Sequence, residues 1–94
     1  MASLFITYWS GSDRNAGNSP GNAISAEVLA ITGTSAQSGV TPADARLVSI
    51  YADVAGCFLY NTNPTAVSAT SPAIGALERV WLDAKPGAKI AGKT

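Results

Sequence analysis

The chain has 94 residues, six basic and six acidic side chains, a formal net charge of zero and no histidine. This length predicts one domain with a modest core. The balanced charge excludes the basic field that attracts nucleic acids or anionic membranes, and the lack of histidine excludes a Cys–His nucleophile within one chain.

The N-terminal region divides into an apolar strand and a polar loop. Ser3–Trp9 is rich in aromatic and β-branched residues, which predicts a strand. Alternation places bulky side chains on both of its faces, so we expect it to lie inside the fold or to insert into a neighbour. Ser10–Asn22 concentrates turn-forming residues. We interpret it as a flexible loop or as an arm that becomes ordered on a partner, because long structureless loops are uncommon without a role.

The next region holds one strand and a weaker element. Ala26–Thr32 predicts a strand, although its Ala and Glu residues also permit a short helix, and Gly33 follows as a turn residue. Ser35–Val40 is ambiguous and is interpreted as an edge strand. Thr41–Asp44 predicts a turn, because Pro42 cannot donate a hydrogen bond to a sheet.

Arg46–Val54 gives the clearest strand pattern in the chain. The side chains that we predict to face the core are Val48, Ile50, Ala52 and Val54. A bend near Gly56 begins the next strand, in which Phe58 and Tyr60 share one face. Asn61–Pro64 must turn, since proline fixes its own backbone and restricts the residue before it.

The C-terminal region is predicted to contain two strands joined by a tight turn. Thr65–Ala76 is small and polar and predicts one weak strand and a loop, whereas Leu77–Asp83 predicts a full strand. Lys85–Gly87 fits a type II turn with proline at its second position and glycine at its third. Ala88–Ala91 is then a short closing strand, and residues 92–94 are expected to be frayed or to form a contact tail.

Six to eight short strands without a helical period predict an all-β fold. We expect residues 1–94 to form a single small antiparallel β-sandwich or jelly-roll-like domain, with a small barrel as the remaining architecture. Residues 10–22 are its loop or arm, and residues 92–94 its tail.

The sequence contains no pattern that favours catalysis, a cofactor or a metal. Cys57 is the only cysteine, so no internal disulfide can form. Gly92–Thr94 reads Gly-Lys-Thr but lacks the first glycine and the following helix of a phosphate-binding loop. The acidic residues of the strands and turns are scattered singly. We therefore predict a protein that is not an enzyme and that has no cofactor and no metal site.

No apolar run approaches the about 18–20 residues that span a bilayer, and the N-terminus shows no secretion signal. We expect the chain to fold in a cytoplasm.

A set of arginines and aromatic residues is predicted to contact a partner. Arg46 and Arg79 lie within or beside apolar strands, where a charge must be exposed, paired or at an interface. The intramolecular alternative is an ion pair with Asp53 or Glu78. Aromatic residues and arginine are enriched at interface centres, and Trp9 is preferred because it ends a strand just before the loop. The interface candidates are Phe5, Tyr8, Trp9, Arg14, Arg46, Tyr51, Arg79 and Trp81.

Short motifs, in order along nearly the whole chain, give a family resemblance. They are a Met-Ala-x-Leu-Phe-(Ile/Val)-Thr start at Met1–Thr7, Ser-Ala-Gln-Ser at Ser35–Ser38, an arginine-containing strand ending in Ala-Asp at Arg46–Asp53, Cys-x-Leu at Cys57–Leu59, Asn-Pro-Thr-Ala at Asn63–Ala66, and an aromatic residue before Pro-Gly-x-Lys-(Ile/Val) at Trp81–Ile90. The chain resembles the small structural proteins that tailed bacteriophages encode beside their capsid genes. Ser10–Asn22 matches no part of this pattern.

The resemblance implies a virion component similar to capsid decoration or cement proteins, which clamp neighbouring subunits of the major capsid protein. It implies a homo-oligomer, with a trimer favoured, located at the capsid surface after assembly in the host cytoplasm. We expect no nucleic acid and no membrane as partners. Two alternatives stay open: a tail or fibre adaptor of the same kind of virion, and a carbohydrate-binding β-sandwich with Trp9 and Trp81 as stacking platforms.

Overall fold

The chain folds into two β-sheets that pack on one core. The computed structural model describes residues 2–11, 22–67 and 70–94. The strands in this part of the chain are β1 (Ser3–Trp9), β2 (Ala23–Ala30), β3 (Ala36–Gln37), β4 (Leu47–Ala52), β5 (Gly56–Asn61), β6 (Ala73–Ile74), β7 (Arg79–Asp83) and β8 (Lys89–Lys93). The front sheet has the order β2-β1-β4-β7 and the back sheet the order β3-β8-β5-β6, with every pair antiparallel. The predicted all-β sandwich is confirmed.

The strand order carries a topological feature that sequence patterning does not show. If β2 is taken as the first strand and β1 as the eighth, the order of the strands in each sheet is that of an eight-stranded jelly roll. The strand that holds the last position of the jelly-roll order is therefore β1, the first strand in this sequence. β1 lies inside the front sheet, between β2 and β4.

The core lies between the inner faces of the two sheets, because alternate residues of each strand point to the same face. The largest fully buried side chains are Leu4, Ile6, Val48, Ile50, Ile74 and Ile90. The predicted core face of β4 holds up to Ala52, but the prediction for Val54 is wrong, since this side chain is 37% exposed. The strand ends at Ala52, so alternation no longer determines where Val54 points.

The start of β7 also differs from the prediction. The strand begins at Arg79, and Leu77 lies before it with a φ of 60° and a side chain that is 71% exposed. A turn accounts for this: the Glu78 backbone N–H donates to the Gly75 oxygen at 3.2 Å, and the Glu78 carboxylate accepts from the Gly75 N–H at 2.6 Å.

The turn before β8 has the predicted chemistry. The Ala88 backbone N–H donates to the Lys85 oxygen at 3.0 Å, and Gly87 has a φ of 84°. A positive φ at the third position defines a type II turn, and glycine adopts it without steric cost.

The prediction of a C-terminal tail is wrong. Gly92 and Lys93 belong to β8, and the Thr94 backbone N–H donates to the Thr32 oxygen at 2.8 Å. Gly92 is buried, and a Cβ at this position would lie 2.6 Å from Leu4 Cδ1. The small residues at this end of the sequence suggested a frayed tail. The glycine is instead required because the two sheets approach each other closely at this position.

The segment after β5 covers part of the outer face of the back sheet. Cys57, on β5, and Ala91, on β8, form a small buried cluster with Ala66 from the segment after β5. The Gln37 side-chain amide donates to Asn63 Oδ1 at 3.0 Å and to the Pro64 oxygen at 2.7 Å. These bonds attach the covering segment to the edge strand β3.

Candidate functional site

The outer face of the front sheet gathers most of the predicted interface residues. In antiparallel sheets directly paired residues share a face. The register pairs Phe5 with Tyr51, and Tyr51 with Arg79. Trp9 pairs with Leu47, and both side chains lie on the same outer face as these three. Trp81 pairs with Ser49, one step between these rows. We call Phe5, Trp9, Tyr51, Arg79 and Trp81 the aromatic face.

The two tryptophans meet across the middle strand. Trp9 lies on β1 and Trp81 on β7, and β4 runs between them, so their backbones are about 10 Å apart. Their ring centroids are nevertheless 6.0 Å apart. The rings can approach because β4 presents the small Ser49 between them, whose Oγ accepts a 3.0 Å hydrogen bond from Trp9 Nε1. Ser49 is only 3% exposed although it lies on an outer face.

The other half of the aromatic face holds the charge. The Phe5 and Tyr51 ring centroids are 6.2 Å apart, and the Arg79 guanidinium carbon lies 5.5 Å from the Tyr51 ring centroid. A guanidinium at this distance is attracted by the electrons of the ring face. The carboxylates offered by the sequence as ion-pair partners are bonded to backbone groups: Asp53 accepts from Ser3 N–H at 2.7 Å, and Glu78 bonds Gly75.

The aromatic face remains open to solvent in the described part of the chain. Phe5 is 41% exposed and Trp81 is 47% exposed. Val28, paired with Phe5 on β2, extends the face and is 61% exposed. Clustered exposed apolar residues are a type of surface at which proteins bind partners.

Tyr8 does not belong to this surface, and its prediction as an interface residue is wrong. It is 3% exposed and lies on the inner face of β1. Its hydroxyl donates to Glu27 Oε1 at 3.1 Å. Burial, together with the neighbouring Glu27 carboxylate, raises the pKa of the Tyr8 hydroxyl to about 12. Alternation separates Tyr8 from Trp9 onto opposite faces.

Arg46, another of the predicted interface residues, lies apart from the aromatic face. Arg46 is exposed just before β4, where its backbone N–H donates to the Trp9 oxygen at 2.8 Å. Its side chain lies against Gly11, since a Cβ on Gly11 would be 2.8 Å from Arg46 Cβ. Arg14 lies outside the described residues, as does most of the predicted arm. Only its ends are described, and the Ser10 N–H donates to the Asn22 oxygen at 2.8 Å.

Sequence reasoning missed two residues of the face. Val28 was placed in a strand but not among the interface candidates, and its alternation with buried Leu29 is the signal that could have identified it. Ser49 gives no signal in the sequence. Its role depends on which strands are neighbours, and this is decided by long-range pairing.

The described residues hold no group of three or more His, Cys, Asp or Glu side chains that could bind a metal ion. Cys57 is buried and unpaired with another cysteine. Among the residues the structure describes, no helix is long and apolar enough to cross a bilayer. What the aromatic face can do chemically is stack, pack and exclude water.

Comparison with known proteins returned no significant match to a protein-family model, a curated protein or a solved structure. The phage resemblance therefore rests on the short sequence motifs alone.

Proposed function

We propose that this protein is a virion structural protein of the capsid decoration type, and that it binds subunits of the major capsid protein through the aromatic face. The observation that carries the proposal is the clustering of Phe5, Trp9, Tyr51, Arg79 and Trp81 on one open sheet face. Aromatic residues and arginine dominate the energetics of protein interfaces. The resemblance of the sequence motifs suggests the capsid protein as the partner, and the aromatic face is the proposed binding surface.

The physical character of the face supports binding to a protein. Tyr51 and Trp9 are held by neighbouring side chains at 6.2 Å and 6.0 Å between ring centroids, so little side-chain freedom is lost on docking. A decoration protein repeats each weak contact over a symmetric particle, and avidity then multiplies modest affinities. The proposal places the protein at the capsid surface.

A tail or fibre adaptor would use the same surface on a different part of the virion. A carbohydrate-binding module is the competing class, and the exposed rings of Phe5 and Trp81 favour it to the extent that they offer flat stacking surfaces. These alternatives differ in the ligand that the aromatic face holds, so one set of variants distinguishes them.

The test uses empty particles assembled from the major capsid protein encoded by the same genome. Phe5→Ala removes an exposed ring from the aromatic face, and we expect at least a tenfold loss of particle binding, about 1.4 kcal/mol. Val40→Ala is the matched control, because Val40 is also exposed, at 58%, but lies outside the aromatic face.

The outcomes separate the classes. Particle binding that Phe5→Ala weakens and Val40→Ala leaves unchanged supports the proposal. Particles that do not bind the unmodified protein, or that bind Phe5→Ala equally well, overturn it. Binding to a glycan array that is lost in Trp81→Ala would establish the carbohydrate alternative, and binding to tails but not capsids would establish the adaptor.

A further inference from the structure

The open edge of β7 carries a second interaction surface, formed by backbone groups of a strand whose Arg79 and Trp81 side chains lie on the aromatic face. In an antiparallel sheet the N–H and C=O groups of a residue point to the same neighbouring strand, and this direction alternates along the chain. The Ala52 N–H donates to the Glu78 oxygen at 3.1 Å, and the Ala84 N–H donates to the Arg46 oxygen at 2.9 Å. Glu78 and Ala84, which flank β7, therefore direct backbone groups toward β4.

Alternation then decides the direction for β7 itself. Val80 and Leu82 bond to β4, whereas Arg79, Trp81 and Asp83 direct their N–H and C=O groups away from the sheet. β7 is an edge strand. In the described part of the chain, no hydrogen bond from a loop or side chain occupies these outward groups. Such an edge is a template for another strand.

The spacing of charge on β7 makes this edge complementary to itself. When two copies of β7 run antiparallel with Trp81 opposite Trp81, Arg79 of each copy lies opposite Asp83 of the other. The three residues that meet in this register are the same three whose backbone groups point outward. Each facing pair exchanges two hydrogen bonds, and each end of the ladder carries an opposite-charge pair on one face.

The other edge of the front sheet has no such preference. Strand β2 directs the backbone groups of Ala26, Val28 and Ala30 outward, by the same alternation from the bond between Ile31 N–H and the Ala2 oxygen. These residues carry no charge, so they select neither a partner nor a register. The charge complementarity of β7 is what identifies the occupant of its edge as a second copy of the chain.

We propose that β7 is a homodimer interface, in which two copies pair antiparallel about Trp81 and join their front sheets into one continuous sheet. The inference goes beyond the proposed function, because it concerns pairing between two copies of the chain through the backbone edge of β7 and not binding to a capsid subunit. It also predicts a two-fold assembly, where the phage resemblance implies a trimer. The two aromatic faces of the dimer would lie side by side on one surface.

The test measures the mass of the full chain by light scattering and sedimentation over a dilution series. We expect a reversible monomer–dimer equilibrium. Asp83→Arg places arginine opposite arginine at both ends of the ladder and should raise the dimer dissociation constant about tenfold or more, since each substitution acts twice. Asp44→Arg is the matched control, with the same change of charge at an exposed turn residue. The swap Arg79→Asp with Asp83→Arg restores opposite charges and should restore the dimer.

Amide hydrogen exchange provides a readout that charge alone would not move. The amides of Arg79, Trp81 and Asp83 should gain protection as the dimer forms, while those of Val80 and Leu82 should be protected at every concentration. A monomer throughout, a trimer, or a dimer that Asp83→Arg does not weaken would each overturn the inference. Phe5→Ala should leave the dimer intact, so failure of this proposal and failure of the capsid-binding proposal are distinguishable.

Discussion

The outer face of the back sheet holds a small buried cluster beneath a covering segment, whereas the outer face of the front sheet carries exposed aromatic side chains. On the back, Cys57 and Ala91 are 5% and 0% exposed, because the segment after β5 lies over them and places Ala66 in contact. On the front, Phe5 and Trp81 remain more than 40% exposed. Both faces belong to sheets of the same size and share one core.

The difference indicates how a small sandwich divides its surface. A covering segment can approach closely only where the outward side chains are short, and Ala66 packs in one buried cluster with Cys57 and Ala91. On the front, Trp9 and Trp81 fill the space above the small Ser49 themselves. The small cluster on the back face is therefore buried by the chain's own covering segment. On the front face the aromatic rings pack against one another and still leave surface exposed to a partner.

Placing the same large side chain on both outer faces tests whether the back face is closed and the front face is open. Ala91→Phe forces a ring beneath the covering segment, and we expect a loss of about 2–3 kcal/mol in the free energy of unfolding, since overpacking a closed site is costly. Ala26→Phe places the ring on β2 beside Thr7, where the face is open. We expect a change within about 0.5 kcal/mol there. Urea unfolding of both variants measures the difference. Equal losses would mean that the front face is closed as well.

A second prediction concerns how firmly the back face is covered. Gln37→Ala removes both side-chain hydrogen bonds that attach the covering segment, to Asn63 and Pro64. We expect this to favour local opening by about 1–2 kcal/mol and so to accelerate modification of the Cys57 thiol by a thiol reagent roughly five- to thirtyfold. The rate of thiol labelling under native conditions is the measurement.

The matched control is Thr7→Ala on the front sheet, which should leave the labelling rate of Cys57 unchanged. An unaltered rate in Gln37→Ala would show that Ala66 packing, with the bond from the Ala66 N–H to Ser35 Oγ at 2.9 Å, holds the segment without Gln37. The back face would then be closed by apolar contact and not by its polar attachment.

The sequence was sufficient to predict the strands and the two faces of β1 and β4. Alternation alone separates Leu4 and Ile6 from Phe5 and Trp9 on β1, and it does the same for β4. It could not say which face of β1 is buried, because both carry bulky side chains. The prediction for Tyr8 failed for this reason: its face meets the core, where its hydroxyl donates a hydrogen bond to Glu27.

The composition of the aromatic face depends on information that no local pattern contains. Phe5, Tyr51 and Arg79 come from strands far apart in sequence and meet only because β1, β4 and β7 are neighbours. The prediction for Gly92 was wrong for a different reason. A small residue near the end of the chain was interpreted as loose, when its smallness allows contact with Leu4.

The hydrogen bond between Trp9 and Ser49 is predicted to contribute modestly to the stability of the front face. Ser49→Ala removes the acceptor of the Trp9 indole N–H, and we expect a loss of about 0.5–1 kcal/mol in the free energy of unfolding. In a Trp9→Phe background the N–H is absent, so the same substitution should cost less, with a coupling of about 0.5 kcal/mol measured by urea unfolding of all four proteins. An equal cost in both backgrounds would mean that Ser49 is buried by the rings alone. The tryptophans would then be positioned by packing, and the aromatic face would be freer to rearrange on its partner than the hydrogen bond implies.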